Sequence, residues 1–134
     1  RHLNEFISFD IEGAWMNDDD VMAVQERMIH HIWKMVAQND QEQIDTINQY
    51  RETQGEEPIK VEVPSLPFPR IEYCDAIKMI QDAGVEITWG DDIESSHCDI
   101  IAAKYPGFHF LPRWPMSMKP FYINHVPGEM GFNR

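Results

Sequence analysis

Polar side chains alternate with apolar ones near the start of the chain and form one row that could bind a ligand. Phe6, Ser8, Asp10 and Glu12 occupy consecutive even positions. In an extended strand they share one face, on which carboxylates two positions apart lie roughly 7 Å from each other. Two such anions can bind a divalent cation or an ammonium group, and the ring beside them can stack on a flat heterocycle. The row therefore predicts a ligand-binding face, and the alternative is a half-exposed strand whose polar side meets water.

Apolar residues occupy the odd positions of the same segment and would face a core: Ile7, Phe9, Ile11 and Trp15. The strand is expected to end near Trp15. A long helix is predicted next, from about Asp19 to Gln38, because Asn17 and the acidic residues after it are typical of a helix N-terminus. Apolar residues recur along it in a broad stripe, which is typical of a well-buried helix. The stripe comprises Val21, Met22, Val24, Met28, Ile29, Ile32, Trp33, Met35 and Val36.

Prolines and glycines divide the rest of the chain into short elements. A polar helix, separate or continuing the first, is expected from Asn39 to about Gln54. Residues 55–69 are expected to be a connecting loop with some disorder, because three prolines after Val61 favour extended backbone. Two helices, three strands and a loose tail over 127–134 complete the prediction. The elements are strand Phe68–Glu72, helix Tyr73–Ala83, helix Ile93–Lys104, strand Phe108–Trp114 and strand Pro120–Val126.

Composition limits the kinds of protein that this chain can be. Its 134 residues with 43% hydrophobic content suit one globular domain, or part of one, with a single core. A net charge of −12 argues against a main nucleic-acid surface, and no direct DNA partner is expected. No apolar run is long enough for a membrane span and no signal peptide is recognisable, so a cytoplasmic location is expected. Cys74 and Cys98 are predicted to be free, buried thiols.

Other clusters of potential ligands favour structural explanations, and no structural metal site is predicted. The side chains of neighbouring histidines on a helix point about 100° apart, so the two cannot easily bind the same metal ion. The acidic runs are better explained as helix caps, with Asp92 capping the helix after it. These clusters are His30–His31, His97–Cys98, Asp18–Asp20 and Asp91–Asp92 with Glu94.

The string Arg-His-Leu-Asn-Glu-Phe at residues 1–6, followed by Phe-Asp-Ile-Glu at residues 9–12, resembles the second half of motif 2 of class II aminoacyl-tRNA synthetases. It is most similar to the aspartyl branch of archaeal type. Further similarity lies in Pro67–Ile71, Trp89–Asp92 and Lys119–Ile123. The resemblance spans nearly the whole chain and implies a fragment of one catalytic domain. A motif 2 strand would occupy 1–16, a helical insertion about 18–64, and the strand and helix remainder about 67–126.

The resemblance implies an ATP site at the start of this strand. Phe6 would stack under the adenine, and Glu5 would lie at the adenine edge. His2 would reach the β- and γ-phosphates, with Arg1 adding positive charge beside it. Asp10 and Glu12 would border the amino-acid pocket and the magnesium sites, with Ser8 beside them.

The implied function is that of an ATP-dependent ligase that activates aspartate as aspartyl-adenylate and transfers it to tRNA. ATP and magnesium are the expected cofactors, tRNA and aspartate are the expected partners of the full-length parent, and a homodimer is expected. The first half of motif 2, motif 1 and motif 3 are not recognisable in the chain, which reads as a truncated piece. The isolated chain is therefore expected to be inactive.

Two alternatives to this function remain. One is an asparaginyl-tRNA synthetase, or a synthetase-like asparagine synthetase, with the same fold. The other is a non-enzymatic interaction module descended from such a domain. For the architecture we expect the α+β class, with a partial antiparallel sheet and helices packed on one face.

Overall fold

Four α-helices provide most of the regular structure in residues 4–126, which are the residues that the computed structural model describes. They are α1 (Asp18–Asn39), α2 (Gln41–Thr53), α3 (Tyr73–Asp82) and α4 (Ser95–Lys104). A short 3-10 helix, Met116–Met118, follows them. The four helices predicted from the sequence are confirmed with small differences at their ends. The tail expected over 127–134 lies outside the described residues.

Local capping explains where α1 begins and why α2 is a separate helix. The side chain of Asn17 accepts a hydrogen bond from the backbone N–H of Asp20, and the Asp20 carboxylate accepts one from the N–H of Asn17. This reciprocal pair satisfies two N–H groups that helix geometry leaves without partners. A single residue, Asp40, interrupts the helical run before α2. Helices α1 and α2 are therefore separate, and they contact each other.

The core lies between α3, α4 and the loops beside them. Its buried residues are Ile71, Tyr73, Ala76, Ile77, Ile80, Ile87 and Ile101. Helix α3 contributes Tyr73, Ala76, Ile77 and Ile80 to it, and Met79 is only partly buried. Gly84 ends α3 in a left-handed conformation (φ 83°), which glycine adopts without steric cost.

The antiparallel sheet is not confirmed, because no β-strand is assigned anywhere in residues 4–126. The segments predicted as strands 68–72 and 108–114 do meet, but through an isolated parallel bridge between Arg70 and Phe110. The N–H of Ile71 donates to Phe110 O, and the N–H of Phe110 donates to Pro69 O, both at 2.9 Å. The predicted strand 120–126 is not formed either. Strand pairing needs partners distant in sequence, and local alternation does not supply them.

The prediction that α1 is well buried is wrong. Several residues of its apolar stripe are exposed, including Val21, Met28, Ile32 and Met35. The one buried residue of the helix is the charged Glu26. Helix α1 also lacks the length of apolar sequence that crossing a bilayer requires, as does every other helix in residues 4–126.

Residues 57–68, here called the strap, run along α1 and α2 without helix or strand structure. Arg51 Nε donates to the carbonyl of Glu57 (2.7 Å), and the Asn48 amide pairs with both the N–H (2.7 Å) and the carbonyl (3.1 Å) of Ile59. His30 Nδ1 lies 2.9 Å from the carbonyl of Pro64. Side chains of the two helices thus satisfy the backbone of a loop for which the sequence predicted some disorder.

Candidate functional site

The even-numbered row of the N-terminal segment (residues 4–13) is exposed along its whole length. Arg1 and His2, predicted to contact phosphates, lie outside the described residues. Glu5, Phe6 and the three polar residues after them are all exposed, with Phe6 at 79%. No helix or strand is assigned to the segment, and it has no partner strand in residues 4–126. Its side chains are accordingly available to a ligand or to another segment.

The structure brings two predicted site residues together. Ser8 Oγ donates a hydrogen bond to Asp10 Oδ2 at 3.1 Å. This contact between positions two apart is what one face of an extended segment allows. The contact orients the Asp10 carboxylate. The carboxylate of Glu12 follows two positions further along the chain and is also exposed.

The odd-numbered residues of the segment do not face a core. Ile7 is 98% exposed, and Phe9 and Ile11 are also exposed. The prediction that they are buried is therefore wrong for the described part of the chain. Exposed apolar side chains in this number, two positions apart along one segment, are typical of a surface that another element covers.

A cavity of about 380 Å³ separates the N-terminal segment from α1, and its size suits a small molecule. Two predicted site residues, Asp10 and Glu12, contribute to its wall, and the opposite wall is the face of α1 that includes Gln25. Its lining is completed by Phe9, Ile11, Gly13, Met16, Val21, Val24 and Met28. The cavity is mostly apolar with acidic groups at one side.

A tight turn joins the N-terminal segment to α1. The N–H of Met16 donates to the carbonyl of Gly13 at 3.0 Å. A Cβ at position 13 would lie 2.5 Å from Met16 Sδ, so glycine permits this close approach. The turn places the acidic row directly before the capped start of α1.

The carboxylates of Asp10 and Glu12 together suit a magnesium ion that is mainly held by substrate phosphates. Within residues 4–126, no group of three or more histidine, cysteine or acidic side chains could hold a metal by itself. Mg²⁺ commonly takes one or two carboxylates and completes its coordination with phosphate oxygens and water. Asp10 keeps Oδ1 free of the Ser8 contact, and Glu12 makes no hydrogen bond or ion pair with the rest of residues 4–126. The donor set therefore fits such a shared ion.

The other clusters have structural roles that differ in part from prediction. Asp20 belongs to the α1 cap, as expected. Asp92 does not cap α4, because Glu94 is the N-cap residue and Asp92 accepts the N–H of Ile93, which precedes the helix. Asp91 Oδ2 accepts the N–H of Thr88 and closes a turn.

Both cysteines are free, as predicted, but they are not both buried. Cys74 is partly buried and Cys98 is exposed. Burial raises the pKa of the Cys74 thiol above its usual value, and the nearby carboxylates of Asp75 and Glu72 raise it further. Neither thiol belongs to the acidic row.

Sequence reasoning missed the residue that attaches α1 to the rest of the chain, which is Glu26. A signal was present, because Glu26 lies one helical turn from Met22 and from Ile29 within the apolar stripe. A charge at such a position is costly to bury without a partner. The partner is Arg70, which follows Pro69.

Comparison with known proteins gives the family. A family model described as class II tRNA synthetases (D, K and N) matches residues 1–130. The "Aspartate--tRNA(Asp/Asn) ligase" of Methanococcus aeolicus is 34% identical over 129 residues, which is 96% of this chain and 27% of that protein. The protein of the same name from Natronomonas pharaonis is 35% identical over 134 residues, covering 97% of this chain and 29% of its own. The chain thus spans just over a quarter of these relatives.

Solved structures agree with this assignment. The asparaginyl-tRNA synthetase from Pyrococcus horikoshii complexed with asparaginyl-adenylate superposes with a TM-score of 0.72 at 26% identity, over 90% of this chain and 26% of that one. The aspartyl-tRNA synthetase from Entamoeba histolytica gives a TM-score of 0.72 at 22% identity, over 89% of this chain and 24% of that one, and shows the fold alone. The resemblance seen in the motif 2 string is therefore confirmed: the chain belongs to the class II tRNA synthetases of the D, K and N group.

Proposed function

We propose that this chain is part of an ATP-dependent ligase that activates aspartate as aspartyl-adenylate and transfers it to tRNA. One observation carries the proposal: relatives named as aspartate–tRNA ligases match the chain over 96% of its length. The exposed row of Phe6, Ser8, Asp10 and Glu12 supports it, because an aromatic ring followed by carboxylates suits a nucleotide and an amino acid side by side.

In the proposed reaction, a carboxylate oxygen of aspartate attacks the α-phosphorus of ATP. The bond from that phosphorus to the bridging oxygen breaks, and pyrophosphate leaves with the electron pair. A hydroxyl at the tRNA 3′ end then attacks the activated carbonyl and releases AMP. Side chains take no covalent part, so catalysis depends on positioning and on neutralising charge.

The residues of the row and those before it have different roles in this proposal. Phe6 stacks under the adenine, with Glu5 at the adenine edge, while His2 and Arg1 neutralise the terminal phosphates. Ser8 orients Asp10 through the 3.1 Å hydrogen bond, so that Asp10 and Glu12 meet the substrate ammonium group. Magnesium, when bound, would neutralise phosphate charge beside the same two carboxylates.

The exposed apolar side of the N-terminal segment supports a further part of the proposal. In the intact enzyme this segment is a strand of an antiparallel sheet, and an element packed on that sheet covers Ile7, Phe9 and Ile11. We also propose that the intact enzyme is a homodimer and works in the cytoplasm, where protein synthesis supplies its tRNA. Helices α1 and α2 are then part of an insertion beside the sheet.

The test uses the intact synthetase that contains this chain and measures exchange of pyrophosphate into ATP. Exchange should depend on aspartate, and asparagine should not replace it. Asp10→Asn and Glu12→Gln should each lower kcat/KM by about 100-fold, since each removes a charge that meets the substrate. Glu42→Gln, an exposed acidic residue on α2, is the matched control and should match wild type.

Two results would overturn the proposal in different ways. Exchange that depends on asparagine alone would replace aspartate by its amide and favour the asparaginyl alternative. Exchange with neither amino acid would favour a non-enzymatic module.

The chain by itself is expected to lack useful activity. The phosphate-binding arginines that the resemblance implies for motif 3 and for the first half of motif 2 are not recognisable in it. Losing each such group costs on the order of 3 kcal/mol of transition-state stabilisation. Pyrophosphate exchange by this chain at rates near those of the intact enzyme would contradict that expectation. Magnesium-dependent ATP binding by calorimetry, lost in Phe6→Ala, would show that half of the site survives.

A further inference from the structure

Glu26 is a buried carboxylate in a helix that is otherwise poorly buried. It is 7% exposed, and it is the one charged residue that is buried within residues 4–126. An ionised group in such a place is costly unless it is paired and hydrogen-bonded. Its contacts therefore show what the position of α1 depends on.

Both contacts of Glu26 are with the short segment 68–70, where the strap ends and the chain enters the core. Glu26 Oε1 accepts the backbone N–H of Phe68 at 2.9 Å and Arg70 Nη1 at 3.2 Å. Arg70 Nη1 also lies 3.4 Å from the Phe68 carbonyl, and Arg70 Nε lies 4.0 Å from Asp19 Oδ1 at the start of α1. A single oxygen thus joins α1 to two residues of this segment.

The segment itself is attached to the core. Arg70 pairs with Phe110 in the parallel bridge, and its guanidinium lies 5.6 Å from the centre of the Phe110 ring. The next residue, Ile71, is part of the buried core. Glu26 is therefore one contact away from the core, across 44 positions of sequence.

Two further contacts of α1 lie beyond Glu26 along the helix. His30 contacts the strap at Pro64, and the Trp33 ring meets the Phe108 ring edge-on at 5.0 Å. In the first half of α1, which follows the turn from the N-terminal segment, Glu26 contacts Phe68 and Arg70, and Asp19 lies 4.0 Å from Arg70. Glu26 is thus the buried attachment in the half of α1 that follows the acidic row.

The face of α1 beside Glu26 is also a wall of the candidate site. Gln25 lines the same cavity as Asp10 and Glu12. A shift of α1 on the core would move this wall together with the turn at Gly13 that leads to the acidic row. The position of the row therefore depends on how α1 is held.

We propose that Glu26 is a positioning residue, which holds α1 on the core through Phe68 and Arg70 and thereby places the acidic row. Its catalytic consequence rests on the function proposed above. Its structural part does not, and can be measured separately.

The structural part is tested by the distance between α1 and the core. Spin labels on Lys34→Cys in α1 and on the natural, exposed Cys98 in α4 report that distance in a Cys74→Ser background. Glu26→Gln keeps an acceptor for the Phe68 N–H but loses the charge that holds Arg70, and Glu26→Ala loses both. Pulsed electron resonance should show a distribution about twice as wide for Glu26→Ala and an intermediate width for Glu26→Gln.

Glu42→Gln with the same labels is the control and should leave the distribution unchanged. Circular dichroism at the same temperature checks that helix content is retained, so that a broader distribution reports displacement and not unfolding. Unchanged distributions in both Glu26 variants would overturn the proposal. Loss of helix content in both would overturn it too, because Glu26 would then be a folding residue.

The catalytic part is tested in the intact synthetase by pyrophosphate exchange. Glu26→Gln should lower kcat/KM for aspartate by about 10- to 100-fold, the range expected when a reacting group is displaced by about 1 Å. The thermal midpoint should stay well above the assay temperature. Wild-type kcat/KM in a variant with a broadened distance distribution would contradict this part. An intact wild-type enzyme that is inactive with aspartate would refute the proposed function and leave the distance result standing.

Discussion

The hydroxyl of Tyr73 donates a hydrogen bond to the backbone carbonyl of Asp91 at 2.6 Å, across 18 positions of sequence. The same oxygen accepts the N–H of Gly90 at 3.0 Å. Tyr73 is completely buried, and its ring contacts those of Trp89 and Trp114. One side chain therefore connects the start of α3 to the loop before α4.

Tyr73→Phe should destabilise the chain by about 1–3 kcal/mol, because the N–H of Gly90 and the carbonyl of Asp91 lose a buried partner. Urea denaturation followed by circular dichroism measures this change. Tyr50→Phe on α2 is the matched control, since Tyr50 is largely exposed and its variant should differ from wild type by less than about 0.5 kcal/mol. Equal stabilities of the two variants would show that the Tyr73 hydroxyl contributes nothing.

The chain should also lose stability at alkaline pH through Tyr73. Burial raises the pKa of the Tyr73 hydroxyl above its usual value of 10.0, and the charges of Asp91 and Asp92 raise it further. The folded state then keeps the proton to higher pH than the unfolded state, so stability is intact below pH 10 and falls as the pH rises through the raised pKa. Denaturation at a series of pH values from 9 upward measures the slope, which Tyr73→Phe should reduce. An equal slope in the variant would assign the alkaline loss to other groups.

Helices were predictable because their signals are local. The Asn17 and Asp20 pair and the apolar spacing placed α1 within one residue of its observed ends. Burial of α1 was not predictable in the same way, since a stripe shows which face is apolar and not what covers it. The strands 68–72 and 108–114 failed for a related reason: alternation gives no information on the partner or its direction.

The candidate site likewise has features that the sequence predicts and contacts that it does not. The row from Phe6 to Glu12 could be identified because it depends on alternation within eight residues and on a recognisable string. Contacts that span 11 to 44 positions could not, among them those of Asn48 with Ile59 and of Glu26 with Arg70. Each of these depends on where a distant backbone passes.

The two thiols should differ in reactivity. Cys98 is exposed, whereas Cys74 is partly buried and has a raised pKa, so less of it is thiolate at neutral pH. An aromatic disulfide reagent should modify Cys98 about tenfold faster or more, measured with Cys74→Ser and Cys98→Ser as reciprocal single-thiol variants. The rate for Cys74 should keep rising above the pH range in which an ordinary thiol ionises. Similar rates for the two thiols would contradict the burial of Cys74.

Asn48 should control the order of the strap. Its amide satisfies both the N–H and the carbonyl of Ile59, as a neighbouring strand would, and no backbone group among residues 4–126 does so there. Asn48→Ala should therefore increase the exchange rate of the Ile59 amide hydrogen by about tenfold and make residues 57–65 more sensitive to proteolysis. Asn48→Asp keeps the acceptor for the N–H, so its effect on amide exchange should be smaller. Gln49→Ala, exposed on the same helix, is the control. If Asn48→Ala and Gln49→Ala behaved alike, the strap would be held by Arg51, His30 and Glu26 without Asn48.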